Sequence, residues 1–241
     1  MFLFILFWLL LFGGAVGSFL NVVIYRLPVG QSLSYPASHC PKCGHPIRPR
    51  DNVPVFGWIL LRGKCRDCKA SISVRYPLIE GLCAILFVHI GYVVLANRSY
   101  DDLEQSLGVI VCYLLLLTTL LAAGMMDYDG KKVPVHLFVP AFFGALISLA
   151  VSWDSAILIF PPLLAGAPLL LLLLSQNRVP WLIAAVITGF TIGWQLTLIV
   201  VGLSLVYFFA AWCFRLRAFS MLALFVLTWI MIVLKGVGHG E

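Results

Sequence analysis

Leu107-Gly-Val-Ile-Val-Cys-Tyr-Leu-Leu-Leu-Leu-Thr-Thr-Leu-Leu-Ala-Ala-Gly-Met-Met126 runs without a single charged side chain, and its reading decides the fold. A helix rises about 1.5 Å per residue, so about 20 such residues cross a hydrocarbon layer roughly 30 Å thick. Similar apolar runs lie to either side, over residues 2–25, 78–96, 133–151, 156–174, 180–214 and 219–234. The run over 180–214 is too long for one upright span, and Gly189, Gly193, Trp194 and Gln195 offer a turn inside it, so it reads as two short helices. With 62% hydrophobic and 11% charged residues and a mean hydropathy of +1.04, the chain has too few polar groups to coat a water-soluble domain. The predicted fold is an all-α polytopic membrane protein of about eight transmembrane helices.

The N-terminal run lacks a basic n-region and a small-residue cleavage site, so it reads as a retained span and not as a signal peptide. Orientation follows from Lys and Arg in short loops. Eight spans place Arg26, Lys42, Arg48, Arg50, Arg62, Lys64, Arg66, Lys69, Arg75, Lys131, Lys132, Arg178, Arg215 and Arg217 on one side, leaving only Arg98 and Lys235 of the 16 basic residues on the other. That side is expected to be the cytoplasm. The formal net charge of +6 then reflects topology and attraction to anionic lipid headgroups. No groove-reading motif accompanies it, so nucleic acid is excluded as a partner. A transporter would need a polar pathway through its helices, and none is recognisable.

Between the first two apolar runs the composition turns to Pro, Gly, Lys and Arg with four cysteines. Cys40-Pro-Lys-Cys43 and Cys65-Arg-Asp-Cys68 are two C-x2-C knuckles at zinc-ribbon separation. Each knuckle sets two thiolates on one tight turn, and two facing turns close a tetrahedral sulfur shell. Disulfides are the competing reading, but a cytoplasmic location keeps thiols reduced. The ion is expected to be a structural Zn2+, because four cysteines leave no open coordination position, and its binding supplies folding energy that so small a module lacks. The expected organisation is a transmembrane helix over 1–25, a cytoplasmic zinc-binding module over 26–77 and a multi-helix membrane domain over 78–241. Cys83, Cys112 and Cys213 fall within spans and read as small packing residues. Gly13, Gly14, Gly17 and Ser18 form a small-residue face for close helix packing, while Asn21 and Arg26 lie near the end of that helix.

The segments Gly17-Ser-Phe-Leu-Asn-Val-Val-Ile-Tyr-Arg-Leu-Pro28, Ser38-His-Cys-Pro-Lys-Cys-Gly44, Asn52-Val-Pro-Val-Phe-Gly-Trp58, Leu61-Arg-Gly-Lys-Cys-Arg-Asp-Cys68 and Ile72-Ser-Val-Arg-Tyr-Pro-Leu-Ile-Glu80 together resemble the type IV prepilin leader peptidases with N-methyltransferase activity. The resemblance is dense over residues 17–81 and holds only in outline beyond them. It implies an intramembrane aspartic peptidase that removes the leader of a type IV prepilin or pseudopilin precursor, then methylates the new N-terminus from S-adenosylmethionine. The partners it implies are the precursor's N-terminal helix and membrane lipid. No residues for the methyl donor are assigned.

An aspartic peptidase needs two carboxylates close enough to share a proton. The ten acids are Asp51, Asp67, Glu80, Asp101, Asp102, Glu104, Asp127, Asp129, Asp154 and Glu241. Asp51 and Asp67 belong to the cysteine module, and Asp101, Asp102 and Glu104 fall in the loop on the opposite side. Asp127, in Met126-Asp-Tyr-Asp129 before Pro134, resembles the family's first catalytic aspartate, although an ordinary loop acid is the alternative. The aspartate that usually follows the loop proline is Val135 here. The family's second aspartate opens, within Gly-x-Gly-Asp, the helix that ends in Gly-Trp-Gln. Gly193-Trp-Gln195 is present, but the opening reads Ser175-Gln-Asn-Arg-Val-Pro-Trp181, and no acid lies between Asp154 and Glu241. Asp129 and Glu80 are the candidate partners for Asp127, with Arg75 a candidate counter-ion for Glu80. The other expectation is a degenerate paralogue without peptidase activity that binds pilin-like helices or acts in assembly.

Overall fold

The computed structural model describes residues 1–96, 103–151, 180, 183–184, 187–188 and 225–232. The described residues are almost wholly helical outside the cysteine module and form no strand beyond two isolated bridges. Three of their helices are long and apolar enough to cross a membrane. The chain divides into two compact units, Met1–Gly91 and Tyr92–Glu241.

In the first unit, helix α1 (Phe2–Arg26) packs against the first part of helix α3 (Arg75–Ala96). Their facing positions run antiparallel, and glycines on α1 let the backbones touch. A Cβ on Gly17 would sit 2.7 Å from the Cα of Glu80, and one on Gly13 would sit 2.8 Å from the carbonyl oxygen of Cys83 and 2.9 Å from the Cα of Ala84. This close approach replaces the hydrophobic drive that lipid removes. One turn further along, the Asn21 side-chain amide donates to the carbonyl of Tyr76 at 3.2 Å, so a polar group in the helix pair is satisfied. Cys83, Leu86 and Ile90 are fully buried. The Arg26 guanidinium, also buried, donates to the carbonyl of Ser32 at 3.1 Å and fixes the exit from α1. Between these helices lies the cysteine module, with a five-residue helix, α2 (Phe56–Leu60), that the sequence did not announce.

The second unit contains helices α4 (Leu103–Tyr128) and α5 (Val139–Val151). They pack at Gly144, where a Cβ would meet the carbonyl oxygen of Cys112 at 3.3 Å and the Leu115 side chain at 3.4 Å. Thr118 and Thr119 donate back to the carbonyls of Leu114 and Leu115 at 2.6 and 2.8 Å, which satisfies both hydroxyls inside an apolar helix. Cys112 is buried, as Cys83 is, in the packing role expected of both.

Several boundaries differ from expectation. α3 starts at Arg75 instead of 78, because Pro77 is tolerated in a first turn whose N–H groups lack helical partners in any case. α4 extends the expected 107–126 at both ends, with Glu104 in its first turn, where a carboxylate suits the helix dipole. The span expected over 133–151 is a 3-10 turn, Val135–Phe138, followed by the 13 residues of α5. Pro140 has no N–H and would clash with a preceding helical turn, so the helix restarts with Pro140 in its first turn. The spans expected over 156–174, 180–214 and 219–234 lie wholly or largely outside the described residues. So do Asp101, Asp102, Asp154, Arg178, Gly193, Trp194, Gln195, Cys213 and Glu241.

Candidate metal centre and acidic residues

The two knuckles share one backbone design, offset by 25 residues. The N–H of Cys40 donates to the carbonyl of His45 at 2.9 Å, and that of Cys65 to Ala70 at 2.8 Å. Gly44 N–H returns to Cys40 at 2.9 Å, and Lys69 N–H returns to Cys65 at 3.1 Å. The bridges His39 to Pro46 and Lys64 to Ser71 close both turns at the same offset. Each turn needs one left-handed residue, supplied by Gly44 (φ +72) in the first knuckle and by Lys69 (φ 59) in the second. Glycine takes that conformation without the Cβ clash that lysine bears. The Lys69 ammonium donates to the carbonyl of Arg66 at 2.9 Å, which helps to hold the strained turn.

Cys40, Cys43, Cys65 and Cys68 come together as expected, with all four sulfurs within 4.8 Å of one another. Cys40 Sγ lies 3.8 Å from Cys68 Sγ, and Cys43 Sγ lies 4.0 Å from Cys65 Sγ. Four sulfurs at about 2.3 Å from a tetrahedral ion stand roughly 3.8 Å apart, so the donor set fits a closed metal site with four cysteine ligands. Backbone N–H groups of Cys43 and Lys42 directed at the Cys40 sulfur lower its thiol pKa to about 6. Cys43 receives the N–H of His45, yet burial and the adjoining sulfurs push it up to about 12. Four thiolates so close repel one another unless a dication lies among them.

The rest of the module orients the knuckles. Arg66, inside the second knuckle, donates from Nε and Nη2 to both oxygens of Asp51 at 2.7 and 2.5 Å. That fork holds the Asp51 carboxyl below the usual carboxylate range. Trp58 Nε1 donates to the carbonyl of Ile72 at 3.1 Å, and its ring lies over Gly63, where a Cβ would be only 2.8 Å away. Arg48 and Asp67 pair at 3.7 Å on the surface, where such a pair adds little.

Glu80 finds a partner that the sequence did not suggest. Its Oε2 accepts the N–H of Val55 at 2.6 Å. Val55 has φ 62 and ψ −51, and the N–H of Phe56 returns to the carbonyl of Pro54 at 2.6 Å. This is a γ-turn with positive φ, a strained conformation for any residue and more so for a β-branched one. No sequence signal marks it, since valine is not a turn residue.

Asp127 and Asp129 belong to the second unit. α4 ends in a Schellman motif, in which Lys131 N–H donates to Met126 at 3.0 Å and Gly130 N–H to Asp127 at 2.9 Å, with Gly130 at φ 68. Asp127 therefore occupies the last helical turn, half-buried, and not a free loop. Asp129, two residues on, pairs with Lys131 at 3.4 Å. Pro134 then holds an extended conformation before the 3-10 turn.

The Bacterial Peptidase A24 N-terminal domain family matches residues 11–94. Over that segment and beyond it, the chain is similar to prepilin leader peptidase/N-methyltransferases. The type 4 prepilin-like proteins leader peptide-processing enzyme of Escherichia coli O78:H11 is 39% identical over 140 residues, covering 51% of this chain and 48% of that protein. The prepilin leader peptidase/N-methyltransferase of Myxococcus xanthus is 37% identical over 159 residues, covering 66% and 44%. That of Dichelobacter nodosus is 35% identical over 179 residues, covering 61% and 59%. The chain spans about half the length of the curated relatives it matches. No solved structure matches it. The matched segment holds the glycine-packed helix pair, the four cysteines, Val55 and Glu80, whereas Asp127 and Asp129 lie beyond it.

Proposed function

We propose that the chain acts in type IV pilus or type II secretion assembly as a prepilin leader peptidase/N-methyltransferase, cleaving the leader of a pilin-like precursor and methylating the exposed N-terminus. The observation that carries this reading is the family match over residues 11–94 on a segment whose four cysteines converge on one closed sulfur site. On this reading the protein resides in the bacterial inner membrane with about eight spans, organised as 1–25, 26–77 and 78–241. The 26–77 module faces the cytoplasm, where Cys40, Cys43, Cys65 and Cys68 hold a structural Zn2+. With four protein ligands the ion has no open position, so it shapes the module and takes no part in peptide cleavage. S-adenosylmethionine is the methyl donor.

For cleavage, Asp127 accepts a proton from water as it attacks the scissile carbonyl, while a second acid holds the proton that polarises that carbonyl. Asp129 and Glu80 are the candidates for that second role. The acid-free stretch between Asp154 and Glu241 favours a second reading, a paralogue that binds pilin-like helices without cutting them. Reconstitution with a prepilin and S-adenosylmethionine separates the two. A peptidase releases leader at a rate that Asp127→Asn lowers by several orders of magnitude. Leader release unchanged by Asp127→Asn would refute the assignment of Asp127, and binding without release would establish the paralogue.

A further inference from the structure

The strained Val55 turn lies beside the middle of α1 and the second turn of α3. Val55 Cγ2 is 3.9 Å from where a Cβ on Gly81 would sit, and Pro54 Cβ is 3.3 Å from where one on Gly14 would sit. Gly14 belongs to the middle of α1, and the helix register sets it level with Cys83 of α3. Past Arg75, α3 carries no Lys or Arg and a single acid, Glu80, through Ala96, and counting the hydrocarbon layer from Pro77 gives about the length that fills it. Gly81 is four residues inside that boundary and Cys83 is six, or about 6 and 9 Å deep at 1.5 Å per residue. Residues around Pro54 and Val55 thus reach below headgroup level.

Backbone outside a spanning helix survives at that depth only where its polar groups are satisfied. Here they are. Pro54 has no N–H, and the N–H groups of Val55, Phe56 and Gly57 go to Glu80, Pro54 and Val53. The pairing works in both directions, because Glu80 is an acid inside a span and requires a donor. Phe56, Ile59 and Leu60 share the outer face of α2 and are 65%, 54% and 74% exposed, while Gly57 is buried and Trp58 turns inward to Ile72. The next charges along the chain, Arg62 and Lys64, are basic and exposed, and no acid occurs between Asp51 and Asp67.

We propose that residues 53–60 form a re-entrant element that dips into the bilayer beside α1 and α3, with Phe56, Ile59 and Leu60 against lipid acyl chains and Arg62 and Lys64 at anionic headgroups. Depth, satisfied backbone, an apolar outer face and flanking cations all point to lipid as the occupant. Glu80 then serves as a positioning residue that holds the turn in place.

The test is photocrosslinking of the full chain in vesicles of phosphatidylethanolamine and phosphatidylglycerol, with benzoylphenylalanine placed separately at positions 56, 59 and 60 and, as a solvent-exposed control, at 48. Each variant is first checked for wild-type near-ultraviolet circular dichroism, and testing three positions separately leaves others should one fail. Mass spectrometry should find lipid adducts at the three positions several-fold above the control. Yields no higher than at position 48 would overturn the proposal, as would crosslinked protein dimers in place of lipid adducts, since a second copy would then cover this face.

Discussion

Replacing Gly17 by alanine tests the helix contact on which the first unit depends. The new Cβ would stand 2.7 Å from the Cα of Glu80 and 3.0 Å from both the Cβ of Cys83 and the carbonyl oxygen of Ile79. Two of those neighbours are backbone and cannot rotate away, so α1 and α3 must separate by roughly 0.7 Å to restore ordinary contact. A gap of that size forfeits about a quarter to a half of the dispersion energy between facing atoms, and overpacking of this kind costs about 1–3 kcal/mol. Cys83, fully buried at the contact, reports the change, because its thiol is alkylated only when the pair opens. In a Cys112→Ala Cys213→Ala background, a membrane-permeant maleimide should label Cys83 roughly 5- to 150-fold faster in Gly17→Ala than in the parent. Gly14→Ala should raise the rate much less, because its Cβ would meet only the Pro54 side chain, at 3.3 Å. Equal rates for Gly17→Ala and the parent, or a larger effect at Gly14, would refute the packing argument.

The metal assignment predicts one zinc per chain by elemental analysis and none in Cys40→Ser Cys65→Ser, because a half-shell of two thiolates binds far more weakly than four. A carboxyl-detected NMR titration should place Asp51 below the model-peptide value of about 3.9, with return toward that value in Arg66→Gln. Because the folded-state value is depressed, the stability contributed by this pair is present above the unfolded value and lost as pH falls through the folded one. Gly44→Ala should destabilise the first knuckle by about 1–2 kcal/mol by forcing an alanine into the left-handed region, seen as faster zinc loss to a chelator.

The sequence reveals different parts of this fold to different degrees. Long apolar runs expose α1, α3 and α4, because the bilayer imposes one length and one composition. Cys40, Cys43, Cys65 and Cys68 are readable because metal geometry fixes their spacing. Prolines at 77 and 140 shift boundaries that hydropathy alone misplaces, since an apolar ring in a first turn looks like continued helix. The Glu80 to Val55 contact is invisible, because it joins residues 25 apart through a backbone N–H that carries no residue-type signature. Gly44 and Lys69, at the common offset after the two C-x2-C pairs, make the matched knuckle turns legible, although lysine bears a Cβ penalty in that conformation. The place of Asp127 at a helix end is legible from the apolar run that stops beside it, and Gly130 could have suggested the motif that ends α4 there.

The duplicated knuckles also bear on how the module closes. Each C-x2-C turn is local and closes with its own hydrogen bonds, so on the zinc reading either would hold an ion only weakly until the other completes the shell. Joining the second knuckle to the first then closes a loop of about 25 residues, an entropic toll of roughly 3 kcal/mol that the remaining two metal–sulfur bonds readily exceed. As the module is threaded between α1 and α3, that closure also draws the ends of the two helices together. If Zn2+ binds there as proposed, it would act as a clasp on a helical hairpin, favouring the approach of Gly13 and Gly17 to α3. A chain starved of metal while it is made should consequently lose the helix pair as well as the module.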